Sequence, residues 1–119
     1  IIMDVIFGYE NFRNEIIWHY NTAARKKNDF GSKHDTILRY SKTDNYKFNA
    51  IRQPYSPTAP RGYAKEKYYH TDGKVIDDVW NINAIGQNDK TERVGFDTQK
   101  PIALIERIIK ANQIFRLCY

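Results

Sequence analysis

Glu92–Asn112 reads ERVGFDTQKPIALIERIIKAN, and the fold is decided there. Pro101 suits the first position of a helix, where its missing N–H costs nothing, so either Thr98 or Lys100 is expected at the cap. Beyond it, Ile102, Ile105 and Ile109, with Leu104, Ile108 and Ala111, recur at spacings of three and four. That periodicity predicts one apolar stripe on an amphipathic helix packed on a sheet. Glu106 and Lys110 stand four apart on the other side, in the favourable order for a helical ion pair.

Working outward, two further stretches read as strands. In Glu15–Tyr20, Ile16, Trp18 and Tyr20 alternate with Ile17 and His19; in Thr36–Ser41, Leu38 and Tyr40 alternate with Ile37 and Arg39. Alternation and β-favouring residue types predict an antiparallel pair. The connection between them, Asn21–His34, is too long for a tight turn. It carries Arg25, Lys26, Lys27 and Lys33 against Asp29, a net charge of about +3. Long connections in compact domains are frequently functional, so these four cations are candidate DNA-phosphate contacts, with a solvated loop as the plain alternative.

Ile1–Phe7, apolar except for Asp4, reads as the last turns of a helix that Gly8 would end. From Thr43 to Asp97 periodicity is weak, and Pro54, Pro57 and Pro60 break regular structure. Arg61, Lys65 and Lys67 lie there among Tyr46, Tyr55, Tyr63, Tyr68 and Tyr69. Cations neutralise phosphates and rings stack on bases, so this mixture suits nucleic acid; a polar insertion with a few packed rings is the plain alternative. Tyr63–Tyr69 fits a short helix or an irregular arm equally. In Asp77–Ile82, DDVWNI, order returns, with Val79 and Trp80 expected in the core and the two aspartates expected in a turn or beside a basic group.

The totals bound the rest. The 119 residues suffice for one small domain. Nineteen basic against fourteen acidic side chains give +5, which favours a polyanionic partner. The single Cys118 excludes an internal disulfide and suits a reducing compartment. No run approaches the length of a membrane span and no leader pattern opens the chain, so a soluble cytoplasmic protein is expected. His19, His34 and His70 share no metal-ligand spacing with each other or with Cys118, and no zinc site is expected. Gly86 and Gly95 belong to no phosphate-cradling motif.

Four blocks in order carry a family resemblance: NEIIWHYN (Asn14–Asn21), KHDTILRYSKTDNYKFN (Lys33–Asn49), DDVWNI (Asp77–Ile82) and ERVGFDTQKPIALIERIIKA (Glu92–Ala111). Together they resemble the amino-methylating DNA methyltransferases, in the permuted group whose catalytic motif precedes the cofactor motif, similar to type III modification subunits. The resemblance covers nearly the whole chain and departs after Asn112. It implies an α/β fold, part of the Rossmann-like S-adenosylmethionine-dependent methyltransferase fold: a sheet-end β-hairpin, an irregular target-recognition insertion over 44–97 and one C-terminal amphipathic helix. The family's Asp-Pro-Pro-Tyr tetrapeptide and its Asp-x-Phe-x-Gly-x-Gly loop are not in this sequence, so residues 1–119 read as a fragment of one methyltransferase domain and no catalytic residue is assigned. The resemblance places Thr98, Gln99, Lys100 and Pro101 beside the cofactor, with Lys100 at a helix N-terminus suited to its carboxylate; a tetrapeptide that only caps and aims the helix is the plain alternative. It implies methyl transfer to an amino group of a base, adenine by the family wording, in double-stranded DNA, with a restriction subunit as a further partner. Two other readings stand beside it: a non-catalytic DNA-binding remnant, and an unrelated basic module for RNA or single strands.

Overall fold

The computed structural model describes residues 2–21, 26–57, 70–86 and 88–112. Arg25, Arg61, Lys65, Lys67, the Tyr63–Tyr69 arm and the segment after Asn112 lie outside the described residues.

The frame is a three-stranded sheet with a helix on each face. Strand β1 is Phe12–His19 and β2 is His34–Tyr40, paired antiparallel from Phe12↔Tyr40 to His19↔His34. The hairpin expected from alternation is therefore present, each strand beginning two to three residues before the alternating run. One irregularity falls between Phe12 and Asn14, which sit opposite the consecutive residues Tyr40 and Arg39. Arg13 is the extra residue of a β-bulge, a device that re-aims a side chain. Its Nε donates to Ser41 Oγ at 2.8 Å and its Nη2 meets Asp44 at 2.9 Å.

The third strand comes from far along the chain. Strand β5, Val79–Asn81, lies parallel to β1, with Ile17↔Val79, Trp18↔Trp80 and His19↔Asn81 in register. Between β2 and β5 the described residues form a two-residue antiparallel ladder, β3 (Arg52–Gln53) with β4 (Lys74–Val75). Gly73 enters that ladder at φ +94°, and a Cβ there would stand 2.1 Å from Gln53 O. Only glycine combines that backbone with so close an approach.

The two helices differ in what they bury. Helix α1, Ile2–Phe7, ends at Gly8, whose N–H returns to Asp4 O at 2.9 Å. It is held to the β2 face carrying Tyr40, whose hydroxyl donates to Asp4 at 2.7 Å and whose ring lies 5.7 Å from Phe7. That hydrogen bond lowers the Asp4 carboxyl below its ordinary range and raises the Tyr40 phenol. Helix α2, Ile102–Asn112, covers the opposite face. Leu104 joins Ile16, Trp18 and Trp80 in the core, ringed by Tyr20, Ile37, Ile76, Ile82 and Ile108. Leu104 is 2 % and Trp18 3 % exposed, and each such side chain contributes about 1.5–3 kcal/mol by leaving water. Both core indoles keep a partner: Trp18 Nε1–H donates to Ile82 O and Trp80 Nε1–H to Asp77 O, each at 2.8 Å.

Two expectations are corrected. The apolar positions of α2 form two rows, of which Leu104, Ile108 and Ala111 face the sheet while Ile102, Ile105 and Ile109 remain in solvent at 56, 43 and 41 % exposure. Three- and four-residue spacing alone does not separate adjacent rows on one helix. Val79 is exposed rather than core, because on a three-residue strand its neighbour Trp80 takes the inward direction and Val79 must point out.

Candidate functional site

Strands β1 and β5 run parallel, and open α/β sheets bind ligands in the crevice beyond the carboxyl ends of such strands. That end is where α2 begins. Pro101 is buried there, and the first free helical N–H, that of Ile102, donates to the carboxylate of Glu92. Glu92, not Thr98 or Lys100, therefore caps the helix. Gln99 closes the connecting loop: its Nε2 donates to Glu92 O at 2.8 Å and its Oε1 accepts Val94 N–H at 2.9 Å. Asp89 anchors the other side of the same loop. Its carboxylate accepts the Thr91 hydroxyl at 2.7 Å and the N–H groups of Thr91 and Glu92, and those bonds, the hydroxyl foremost, hold its pKa below the usual range.

Lys100 leaves this turn toward the hairpin. Its ammonium lies 3.4 Å from Asp35 Oδ2 and 5.1 Å from the centre of the Trp18 ring. The other Asp35 oxygen accepts the Tyr20 hydroxyl at 3.3 Å, and the Tyr20 ring packs against Trp18 with centres 4.9 Å apart and planes tilted by 57°. Burial first, then the Asp35 charge and hydrogen bond, raise the Tyr20 phenol above its ordinary value. His19 reaches Asn81 across the parallel pair at 3.0 Å. Carboxylate, ammonium, phenol and indole thus converge at the carboxyl end of β1 and β5, half exposed to solvent.

The four residues of the Thr98–Pro101 turn divide in two. Gln99 and Pro101 are committed to the loop and the core. Thr98 is exposed, with no hydrogen bond among the described residues, and Lys100 keeps two of its three donors beyond its contact with Asp35. Of the loop cations, Lys26 pairs with Asp29 at 3.9 Å, while Lys27 and Lys33 enter no ion pair among the described residues. Their backbone lies at the same end, since Tyr20 N–H donates to Lys33 O at 3.0 Å. A cavity of about 360 Å³ lies elsewhere, between the sheet and the C-terminal half of α2, lined by Ile16, Ile37, Arg39, Trp80, Ile108 and Ala111 among others. The Thr98–Pro101 turn takes no part in it. Among the described residues no group of three or more His, Cys, Asp or Glu is placed to hold a metal, and no helix is long and apolar enough to cross a membrane.

Comparison with known proteins identifies the family. The family model described as DNA methylase matches residues 1–114. The chain belongs to the DNA methylase family. This DNA methylase chain is 32 % identical over 109 residues to the type II methyltransferase M.BglII of Bacillus subtilis, covering 82 % of the chain and 28 % of that protein. It is 32 % identical over 117 residues to the type II methyltransferase M1.MboII of Moraxella bovis, covering 85 % of the chain and 45 % of that protein. It thus spans less than half the length of either relative.

Asp35 and Glu92 were not singled out by the sequence as site residues. Asp35 was readable only through the hairpin register, which sets it opposite Trp18. Glu92 acts on a helix ten residues away through a loop with no periodic signal.

Proposed function

We propose that this chain is part of a site-specific DNA adenine methyltransferase of the permuted group, which transfers a methyl group from S-adenosylmethionine to the exocyclic amino group of a base in double-stranded DNA. The observation that carries it is the Thr98–Pro101 turn, standing at the carboxyl end of β1 and β5 with hydrogen-bond donors to spare. S-Adenosylmethionine supplies an electrophilic methyl when bound. The residues present fit its carboxylate: the Thr98 hydroxyl and the remaining Lys100 N–H donors would hold it, while Gln99 and Pro101 keep the turn in shape. The helix N-terminus itself is already matched to the Glu92 carboxylate, so the anion site is the Lys100 ammonium rather than the helix end.

The target base must leave the duplex, at a cost of a few kcal/mol in stacking and pairing. Contacts to backbone phosphates offset that cost, and Lys27 and Lys33 are free to make them; Arg25, Lys26, Arg61, Lys65 and Lys67 complete the proposed set. The 44–97 segment is read as the target-recognition insertion, and the enzyme as a cytoplasmic modification component working with a restriction subunit. The four sequence blocks, in family order, support the permuted and adenine-specific reading.

The test is methyl transfer from labelled S-adenosylmethionine to duplex DNA, by the chain alone and by the product of the reading frame that surrounds it, with the methylated nucleoside identified. Expected are no incorporation by residues 1–119 alone and N6-methyladenine from the surrounding frame. N4-methylcytosine would overturn the adenine assignment. Duplex binding without incorporation by either protein would make the non-catalytic remnant the correct reading.

A further inference from the structure

Three described cations near the hairpin are matched internally. Lys100 meets Asp35, Lys26 meets Asp29 and the bulged Arg13 meets Asp44. Arg39 is different. It enters no ion pair among the described residues; its Nε and Nη1 donate to the neutral side chains of Asn112 at 3.1 Å and Asn14 at 3.4 Å. Its guanidinium lies 4.9 Å from the Phe48 ring centre and 5.3 Å from that of Tyr46, and Arg13 lies 4.4 Å from the same Tyr46 ring. Phe48 and Tyr46 are 50 % and 42 % exposed. The guanidinium is thus clamped in place by rings and amides while its charge stays uncompensated. Lys42 and Lys47, both exposed, lie on the segment leaving β2 and likewise enter no ion pair among the described residues. Asp44, the acidic residue of that segment, is held by Arg13.

We propose that Arg39, Lys42 and Lys47 form a second contact to the phosphate backbone of duplex DNA, at the opposite end of the hairpin from the β1–β2 loop. This rests on the DNA-methyltransferase reading. A guanidinium presents a planar fork suited to phosphate oxygens, and one already fixed by its neighbours loses little side-chain freedom on binding. Arg39 lies opposite Asn14 and the loop leaves at His19, five residues or about 17 Å along β1, close to five base pairs of B-form DNA at about 3.4 Å each. One duplex lying along the hairpin reaches both.

The experiment is fluorescence anisotropy of the 119-residue chain with a labelled duplex between roughly 50 and 200 mM salt, for the wild type, Arg39→Gln and the double variant Lys42→Gln/Lys47→Gln, each with a thermal melt. Each phosphate contact contributes about 0.9 to the slope of log affinity against log salt. The slope is expected to fall by about 1 in Arg39→Gln and by about 2 in the double variant, whose exposed side chains leave the melt unchanged. Duplex binding with an unaltered slope in both variants overturns the patch and leaves the DNA reading standing. If Arg39→Gln lowers the melting temperature while the double variant keeps the wild-type slope, Arg39 only glues the 46–48 segment to the sheet, and the proposal fails. Absence of duplex affinity in the wild-type chain overturns the patch, and methyl transfer by the product of the surrounding frame then decides the DNA reading.

Discussion

The hairpin with α2 and the chain between β2 and α2 are built on different physics. In the first, seven cross-strand pairings and the buried side chains of Ile16, Trp18 and Leu104, packed with Trp80 of β5, fix the geometry. In the second, shape comes from short-range polar contacts: Arg52 donating to Gly73 O, Lys74 paired with Asp77, and Asp89 and Gln99 closing their loop. Apolar burial makes the frame cooperative. Polar closure makes each turn of the connecting chain a separate local event, so that damage there stays local.

The largest effects should therefore fall on the frame. Trp18→Ala and Leu104→Ala are expected to lose about 3–5 and 2–5 kcal/mol respectively, read by denaturant unfolding; a loss under about 1 kcal/mol would erase the distinction. Next comes Gly73→Ala. Its positive φ and the contact with Gln53 O predict about 1–3 kcal/mol of strain, and hydrogen exchange should show lost protection in β3 and β4 with the β1–β2 amides unchanged. Loss of hairpin protection would mean that the two regions are coupled.

Glu92→Ala removes a cap, worth about 1 kcal/mol, and circular dichroism should show helix loss that Glu92→Gln largely restores. Ile105→Ala, on the exposed row of α2, is expected within about 0.5 kcal/mol of wild type, in contrast with its neighbour Leu104. The smallest effect is one of pH. The Asp89 carboxyl has its pKa lowered by folding, so its contribution is present above the unfolded value of about 3.9 and is lost as pH falls through the folded one. The melting difference between wild type and Asp89→Asn should thus be full at pH 6 and vanish in strong acid; a constant difference would contradict the hydrogen-bond assignment.

The same division decides what could be read from the sequence. The hairpin, α2, the core position Trp80 and the Glu106–Lys110 pair were legible, because alternation and helical spacing report the type of element directly. The split of α2 into a buried and an exposed row was not, since both rows obey the same spacing. Parallel pairing of β5 with β1 leaves no local trace. At the candidate site, Lys100 is named by its motif, but its partner Asp35 and the cap Glu92 depend on which chain ends meet, and only the tertiary arrangement supplies that. The ring-clamped Arg39 was invisible for the same reason: nothing in RYSKTDNYKF says that a bulge at Arg13 consumes Asp44.

The parallel pairing of β1 with β5 joins residues as far apart as His19 and Asn81, 62 positions along the chain. Where the connecting chain leaves the hairpin it is pinned by Ser41 N–H on Asn11 O, and where it returns by Ile17 N–H on Asp78 O, at 3.0 and 2.8 Å. Closure entropy grows only logarithmically with length, about 0.6 kcal/mol for each doubling. A connection with both ends pinned can therefore be replaced by a shorter or longer one at little thermodynamic penalty. Such an arrangement lets the connection differ in length while the hairpin and its helix stay as they are.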